Sequence, residues 1–103
     1  MLKVIGHGKV VNDPKYSDKG IGGVLSFRVS SAHKKGMCFY NCNYWVEKDN
    51  KIIDLLKKDT IIYMEGSWYT YNERRSDGTW NNINTLRIQV LKMYNKQGEE
   101  KNG

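Results

Sequence analysis

An all-β barrel carrying one short helix is the fold class this sequence predicts, and three observations predict it. Most of the chain alternates apolar and polar residues with the period of two that a half-buried strand requires. That period changes once, near residues 49–58, to the spacing of a short helix. Turn-forming clusters such as Asn12-Asp13-Pro14, Gly20 with Gly22 and Gly23, and Asp77-Gly78 separate the alternating runs. A chain of 103 residues holds one modest core, so every element must share it.

The first run, 2–11, sets Val4, Ile5, Val10 and Val11 around Gly6 and Gly8, a strand whose glycines permit a bend or a close backbone approach. Asn12-Asp13-Pro14 ends it. Residues 16–23 are rich in Ser, Asp, Lys and Gly and are expected to form an irregular connection. A second strand turns Leu25, Phe27 and Val29 inward and Ser26, Arg28 and Ser30 outward, and His33-Lys34-Lys35-Gly36 is a short basic turn. The third strand, 39–46, is the most informative. Tyr40, Cys42, Tyr44 and Val46 form a core row, whereas Phe39, Asn41, Asn43 and Trp45 share the other face.

In the helix, Ile52, Ile53, Leu55 and Leu56 lie on one face, with Asp49 as the expected N-cap and Lys57-Lys58 at the C-terminal end. A fourth strand, 60–65, opposes Ile62 and Met64 to Tyr63. Gly66 is expected to bend it, and Trp68 falls on the inward phase. Residues 72–82 read as a hairpin tip with Asp77-Gly78 in a tight turn. The fifth strand sets Leu86, Ile88 and Val90 against Arg87, Gln89 and Leu91. Residues 1–94 therefore form one domain, and 95–103 a short polar C-terminal tail expected to fray. Three strands, a helix and two strands is the order of an OB-fold, a five-stranded Greek-key barrel that binds through one outer face and the adjoining loops.

Charge narrows the function. Against 11 Asp and Glu stand 17 Lys and Arg, a net +6, which favours a polyanionic partner: nucleic acid or an anionic membrane surface. No apolar run reaches the length of a membrane span and the first residues lack a signal peptide's apolar core, so a cytoplasmic protein is expected. Cys38 and Cys42, about 13 Å apart along one strand, are too distant for a disulfide and are expected to be two reduced, buried thiols.

An enzyme is not expected: His7 sits beside glycines, His33 in a basic turn, and no paired carboxylates stand out. Those histidines and the two cysteines are the only soft metal ligands, and their spacing suggests no zinc site, so neither metal nor cofactor is expected. The Gly20, Gly22 and Gly23 cluster precedes no helix, which removes a phosphate-cradling loop.

The segments Gly8-Lys9-Val10-Val11-Asn12-Asp13-Pro14 and Ser26-Phe27-Arg28-Val29, and above all the gap-free block from Leu55 to Ser67 with its Glu65-Gly66 pair, carry a resemblance, in register over nearly the whole chain, to the single-stranded DNA-binding proteins of bacteria and phages. It implies that Phe39 and Trp45, already turned outward by alternation, stack on bases, and that the protein is a homo-oligomer, a tetramer or dimer. There are departures. Lys34 and Lys35 occupy a shortened turn where the family often has a Trp, and the family's hairpin Trp falls near Glu73, with Trp68, Tyr69, Tyr71 and Trp80 close by. The family's long tail with an acidic recruiting tip has no counterpart before Gly103, which leans toward a phage or mobile-element member or a truncated chain, in a bacterial cell or a phage's host.

Beside each functional expectation stands a plainer one. Phe39 and Trp45 either stack on bases or cover an oligomer contact or a neighbouring loop. Asn41 and Asn43 bond base edges or phosphates, or are merely solvated. Tyr71, Arg74, Arg75 and Trp80 form a basic, aromatic hairpin tip that closes over a strand, or an ordinary loop with Trp80 packed back on the barrel. Arg28, Lys9, Lys34 and Lys35 contact phosphates or only water. The expected function is sequence-independent binding and protection of single-stranded DNA in replication, recombination or repair. The alternative is a primosome-type OB-fold adaptor whose main partner is another replication protein.

Overall fold

The structure, a computed structural model, describes residues 2–94 and 100–102. Its strands are β1 (Leu2–Val10), β2 (Lys15–Asp18), β3 (Gly22–His33), β4 (Gly36–Glu47), β5 (Ile61–Arg74), β6 (Trp80–Tyr94) and β7 (Glu100–Asn102), with one helix, α1 (Ile52–Leu55), between β4 and β5. β1 pairs β5, β5 pairs β6, β6 pairs β4 and β4 pairs β3. Pairing of Lys9 with Ser30 and Val10 with Val29 then brings β3 back to β1. Those five strands form a closed ring. The single parallel pair among them, β4 with β6 at Cys42 to Leu86 through Tyr44 to Ile88, is the crossover that distinguishes a Greek key from a meander. The fold is the OB-fold that the element order predicts.

The core follows the alternation: Leu25, Phe27 and Val29 of β3, Cys42 and Val46 of β4, Ile62 and Met64 of β5, and Leu86 and Ile88 of β6 are buried. Tyr40, Tyr44 and Trp68 are half-buried against them, with Tyr40 and Trp68 edge to face at 5.8 Å. Ile52 and Leu56, one turn apart, add the helix's contribution to the same core.

Several expectations need correction. Residues 16–23 are not irregular throughout: β2 forms an antiparallel ladder with β3, Lys15 opposite Ser26 and Asp18 opposite Gly23. Tertiary pairing with an open edge of β3 outweighs the weak strand propensity of Ser and Asp. The helix is a single turn, and Asn50 rather than Asp49 satisfies its first amide: Ile52 N–H donates to Asn50 Oδ1 at 2.9 Å. Leu55 is exposed, because a helix this short turns only Ile52 and Leu56 squarely inward. Ser30 is buried rather than solvated, since β1 closes the ring beside it. Cys42 is buried but Cys38 only partly so.

The fifth barrel strand changes phase. Gly66 pairs Ile88 while Glu65 pairs Val90, so Gln89 is an extra residue in a β-bulge, and beyond it Leu91 and Met93 face the core while Val90 is 37% exposed. Glycine is required opposite the bulge: a Cβ on Gly66 would sit 2.5 Å from the Arg87 carbonyl oxygen. The expected tip at 72–82 is smaller than the sequence suggests. β5 and β6 stay paired out to Arg74 and Trp80 as a projecting ribbon, leaving residues 75–79 as the turn, where Asp77 Oδ1 accepts from both the amide and the hydroxyl of Thr79. Those bonds hold the Asp77 carboxyl below its ordinary pKa. Of the expected polar tail, 95–99 and 103 lie outside the described residues, and 100–102 pair antiparallel with β6.

Candidate nucleic-acid interface

Strand register decides which outward side chains become neighbours. Opposite residues in a ladder share a face, so Ser30 with Phe39, Arg28 with Asn41, Ser26 with Asn43, and Val24 with Trp45 form four rows across β3 and β4. The parallel pair then adds Arg87 of β6 beside Asn43, and the β5–β6 ladder adds Ser67 beside Arg87 and Tyr69 beside Thr85. One outer face therefore carries Phe39, Asn41, Asn43 and Trp45 as its spine, with arginine on both sides.

Both rings of that spine are half exposed, at 50% each. Trp45 lies along the β3 backbone, so that a Cβ on Gly22 would come within 3.0 Å of its Cζ2; the glycine lets the indole lie flat. The Arg28 guanidinium sits over the Phe39 ring, 4.7 Å from its centroid, and Arg87 sits over the Tyr69 ring at 4.9 Å. These cation–π contacts hold two arginines close to the rings while leaving their N–H edges available for anions. Between the rings, Ser26 Oγ donates to Asn43 Oδ1 (3.1 Å), Asn43 Nδ2 donates to Thr85 Oγ1 (3.0 Å), and the Arg28 amide donates to Asn12 Oδ1 (2.9 Å). Trp45, Val24, Asn43 and Arg87 enclose a hollow of about 330 Å³. A second hollow of the same size lies on the other side of Asn43, among Lys15, Ser26, Arg28 and Asn41.

The remaining candidates distribute around this face. Lys9 is in line with Ser30 and Phe39 but is paired with Asp59 at 3.5 Å. Lys34 and Lys35 are the exposed turn between β3 and β4. Tyr71 stands beside Asn41 and Asn43 in the cleft where the ribbon leaves the barrel. Arg74, Arg75 and Trp80 are at the ribbon's far end; Arg75 Nη2 donates to Asn81 Oδ1 (3.0 Å), and Trp80 is 65% exposed, not packed back on the barrel. They do not contact the spine.

Sequence reasoning did not place Lys15, Thr85 or Arg87 among the binding candidates, and it named Tyr69 only as an aromatic near the position of the family's hairpin Trp. Parity already turned Arg87 outward between Leu86 and Ile88, and the parallel strand pair implied by the Greek key would have set it beside Asn43.

His7 belongs to a different face. It stands edge to face with Tyr63 at 5.3 Å, and its Nε2 is 3.1 Å from the Tyr94 hydroxyl. Tyr63 in turn donates to Glu65 Oε2 at 2.7 Å, which raises its hydroxyl pKa. Among the described residues no group of three or more His, Cys, Asp or Glu side chains is placed to hold a metal ion, and no helix is long and apolar enough to cross a membrane.

Solved structures share this architecture. Plasmodium falciparum SSB in complex with ssDNA superposes with a TM-score of 0.75 at 15% identity, covering 92% of this chain and 96% of that one. A mitochondrial single-stranded DNA-binding protein of Saccharomyces cerevisiae, Rim1, superposes at 0.70 with 17% identity over 99% of this chain and 97% of its own. The fold is shared. A selenomethionine form of the yeast protein gives 0.64 at 18% identity. No family model and no curated protein sequence matches the chain.

Proposed function

We propose that this protein binds single-stranded DNA along β4, stacking bases on Phe39 and Trp45 and holding phosphates with Arg28 and Arg87. The observation that carries the reading is the spine itself: two half-exposed rings on one outer face of an OB barrel, each close to an arginine. Aromatic faces stack on any base, so binding there is nearly indifferent to sequence, while a duplex hides the same faces in its own stack. Lys9, Lys34 and Lys35 extend the positive charge at the β3–β4 turn end, and the ribbon with Tyr71, Arg74, Arg75 and Trp80 flanks the other side. Asn41 and Asn43 face the bases between the rings. The domain 1–94 suffices for this activity, and the protein coats and protects DNA in replication, recombination or repair.

A homo-oligomer fits the remaining surface, since Ile5 and Val90, both opposite Glu65, expose apolar area on outward positions of β1 and β6 away from the spine. Its reading as a binding protein leaves no role for catalysis.

Titrating dT oligomers while following tryptophan fluorescence tests the reading. Quenching is expected, with tight binding that weakens steeply in salt and little affinity for duplex. If oligonucleotides of either form leave the fluorescence unchanged, Phe39 and Trp45 serve a partner protein instead, as in an adaptor of the replication machinery.

A further inference from the structure

The outer face extends past β3 onto β2, and β2 brings a cation with it. Where β1 leaves β3, at the bond from the Val11 N–H to the Arg28 carbonyl, β2 takes over the edge and sets Lys15 opposite Ser26. Ser26 is itself opposite Asn43, and Asn43 opposite Arg87. Register thus lays Lys15, Ser26, Asn43 and Arg87 in one row across β2, β3, β4 and β6, all on the outer face. The row crosses β4 between Phe39 and Trp45. Lys15 is exposed, and among the described residues no carboxylate is within ion-pair distance of it, whereas Lys9 is held by Asp59.

The hollow of about 330 Å³ over β3 is bordered by Lys15 and by Arg28, and its described lining includes no carboxylate. The two cations do not meet: the Arg28 guanidinium leans toward Phe39, while Lys15 is in the Asn43 row, nearer Trp45. Two amide oxygens of the lining are already committed, Asn12 Oδ1 to the Arg28 amide and Asn43 Oδ1 to Ser26 Oγ, so what these side chains retain for a ligand is N–H donors. Cations and donors around one space suit an anion rich in lone pairs. Resting on the single-strand reading, we propose that Lys15 is a further phosphate-binding residue and that the sugar–phosphate backbone runs over β3 between the two stacked bases. One linkage lies on Arg28 and a separate one on Lys15, with the bases turned toward β4. The short strand β2 is then part of the binding surface.

The test takes the shortest dT oligomer that keeps full affinity and places one methylphosphonate linkage at each position in turn, which removes a phosphate's charge and leaves base and sugar in place. Neutralising one particular linkage should weaken wild-type binding roughly fivefold, between the effect of an exposed ion pair and that of a charged hydrogen bond. That penalty should vanish in Lys15→Gln and persist in Lys15→Arg, while Arg28→Gln removes the penalty at a different linkage. Each penalty is a ratio within one variant, so a general loss of affinity or stability does not move it. Penalties that Lys15→Gln leaves unchanged at every linkage, lowers evenly along the oligomer, or lowers only at the linkage that Arg28→Gln affects overturn the proposal. With tight binding these results overturn it alone, whereas no binding of any oligomer by the wild type overturns the single-strand reading with it.

Discussion

Replacing Trp45 with alanine separates binding from folding, and the structure sets the size of both effects. Half of the indole is exposed, so of the roughly 150–250 Å² an aromatic side chain can bury, about 100 Å² remains covered in the free protein. At about 25 cal/mol per Å² its loss costs at most about 2.5 kcal/mol of stability, well within the 5–15 kcal/mol of a typical domain. The exposed face stacks one base, worth about 1–3 kcal/mol, so affinity for dT oligomers should fall about 5- to 150-fold. Urea unfolding and fluorescence anisotropy on the same sample measure the two numbers. A folded Trp45→Ala with wild-type affinity refutes the stacking role; a variant that does not fold shows that the covered half matters more than the area implies, and Trp45→Leu, which retains packing, then carries the binding test.

Arg28→Gln should reduce the slope of log affinity against log salt by about 0.7 if it neutralises one phosphate, and Arg87→Gln likewise; an unchanged slope removes that arginine from the path. Gly66→Ala should destabilise the fold by about 1–3 kcal/mol, because its Cβ meets the Arg87 carbonyl at the bulge; unchanged urea unfolding would show that the bulge relaxes freely. Burial pushes the Cys42 thiol up to about 12 from its ordinary 9, so a thiol reagent at pH 8 should titrate Cys38 alone in the native protein and both after denaturation; two fast native equivalents contradict the buried thiol. The sign follows from the same shift: the folded state holds the Cys42 proton more tightly than the unfolded chain. The stabilisation is complete below about pH 9 and is lost as pH rises toward 12, which unfolding midpoints across that range would reveal.

What the sequence made legible was parity. Alternation in 39–46 placed Phe39 and Trp45 outside and Cys42 and Val46 inside, because a strand's side chains have no third option. Element order gave the OB topology for the same kind of reason: a helix between the third and fourth barrel strands, in a chain this short, leaves few ways to close a sheet. Parity failed where something other than alternation set the pairing. One extra residue at Gln89 reversed the phase of everything after it, exposing Val90 and burying Leu91, and nothing in Ile88-Gln89-Val90 announces a bulge. The strand at Lys15–Asp18 exists because β3 offers it an edge, a long-range cause that local composition does not contain.

Whether unpaired bases lie on the Phe39–Trp45 face is decided by nuclear magnetic resonance shift mapping during a dT titration. The Trp45 indole N–H and the amides of 39–45 should move most, while those of His7 and Tyr63 on the other face stay in place. Shifts concentrated on His7, Tyr63 and Tyr94, with the Trp45 indole unmoved, would contradict it.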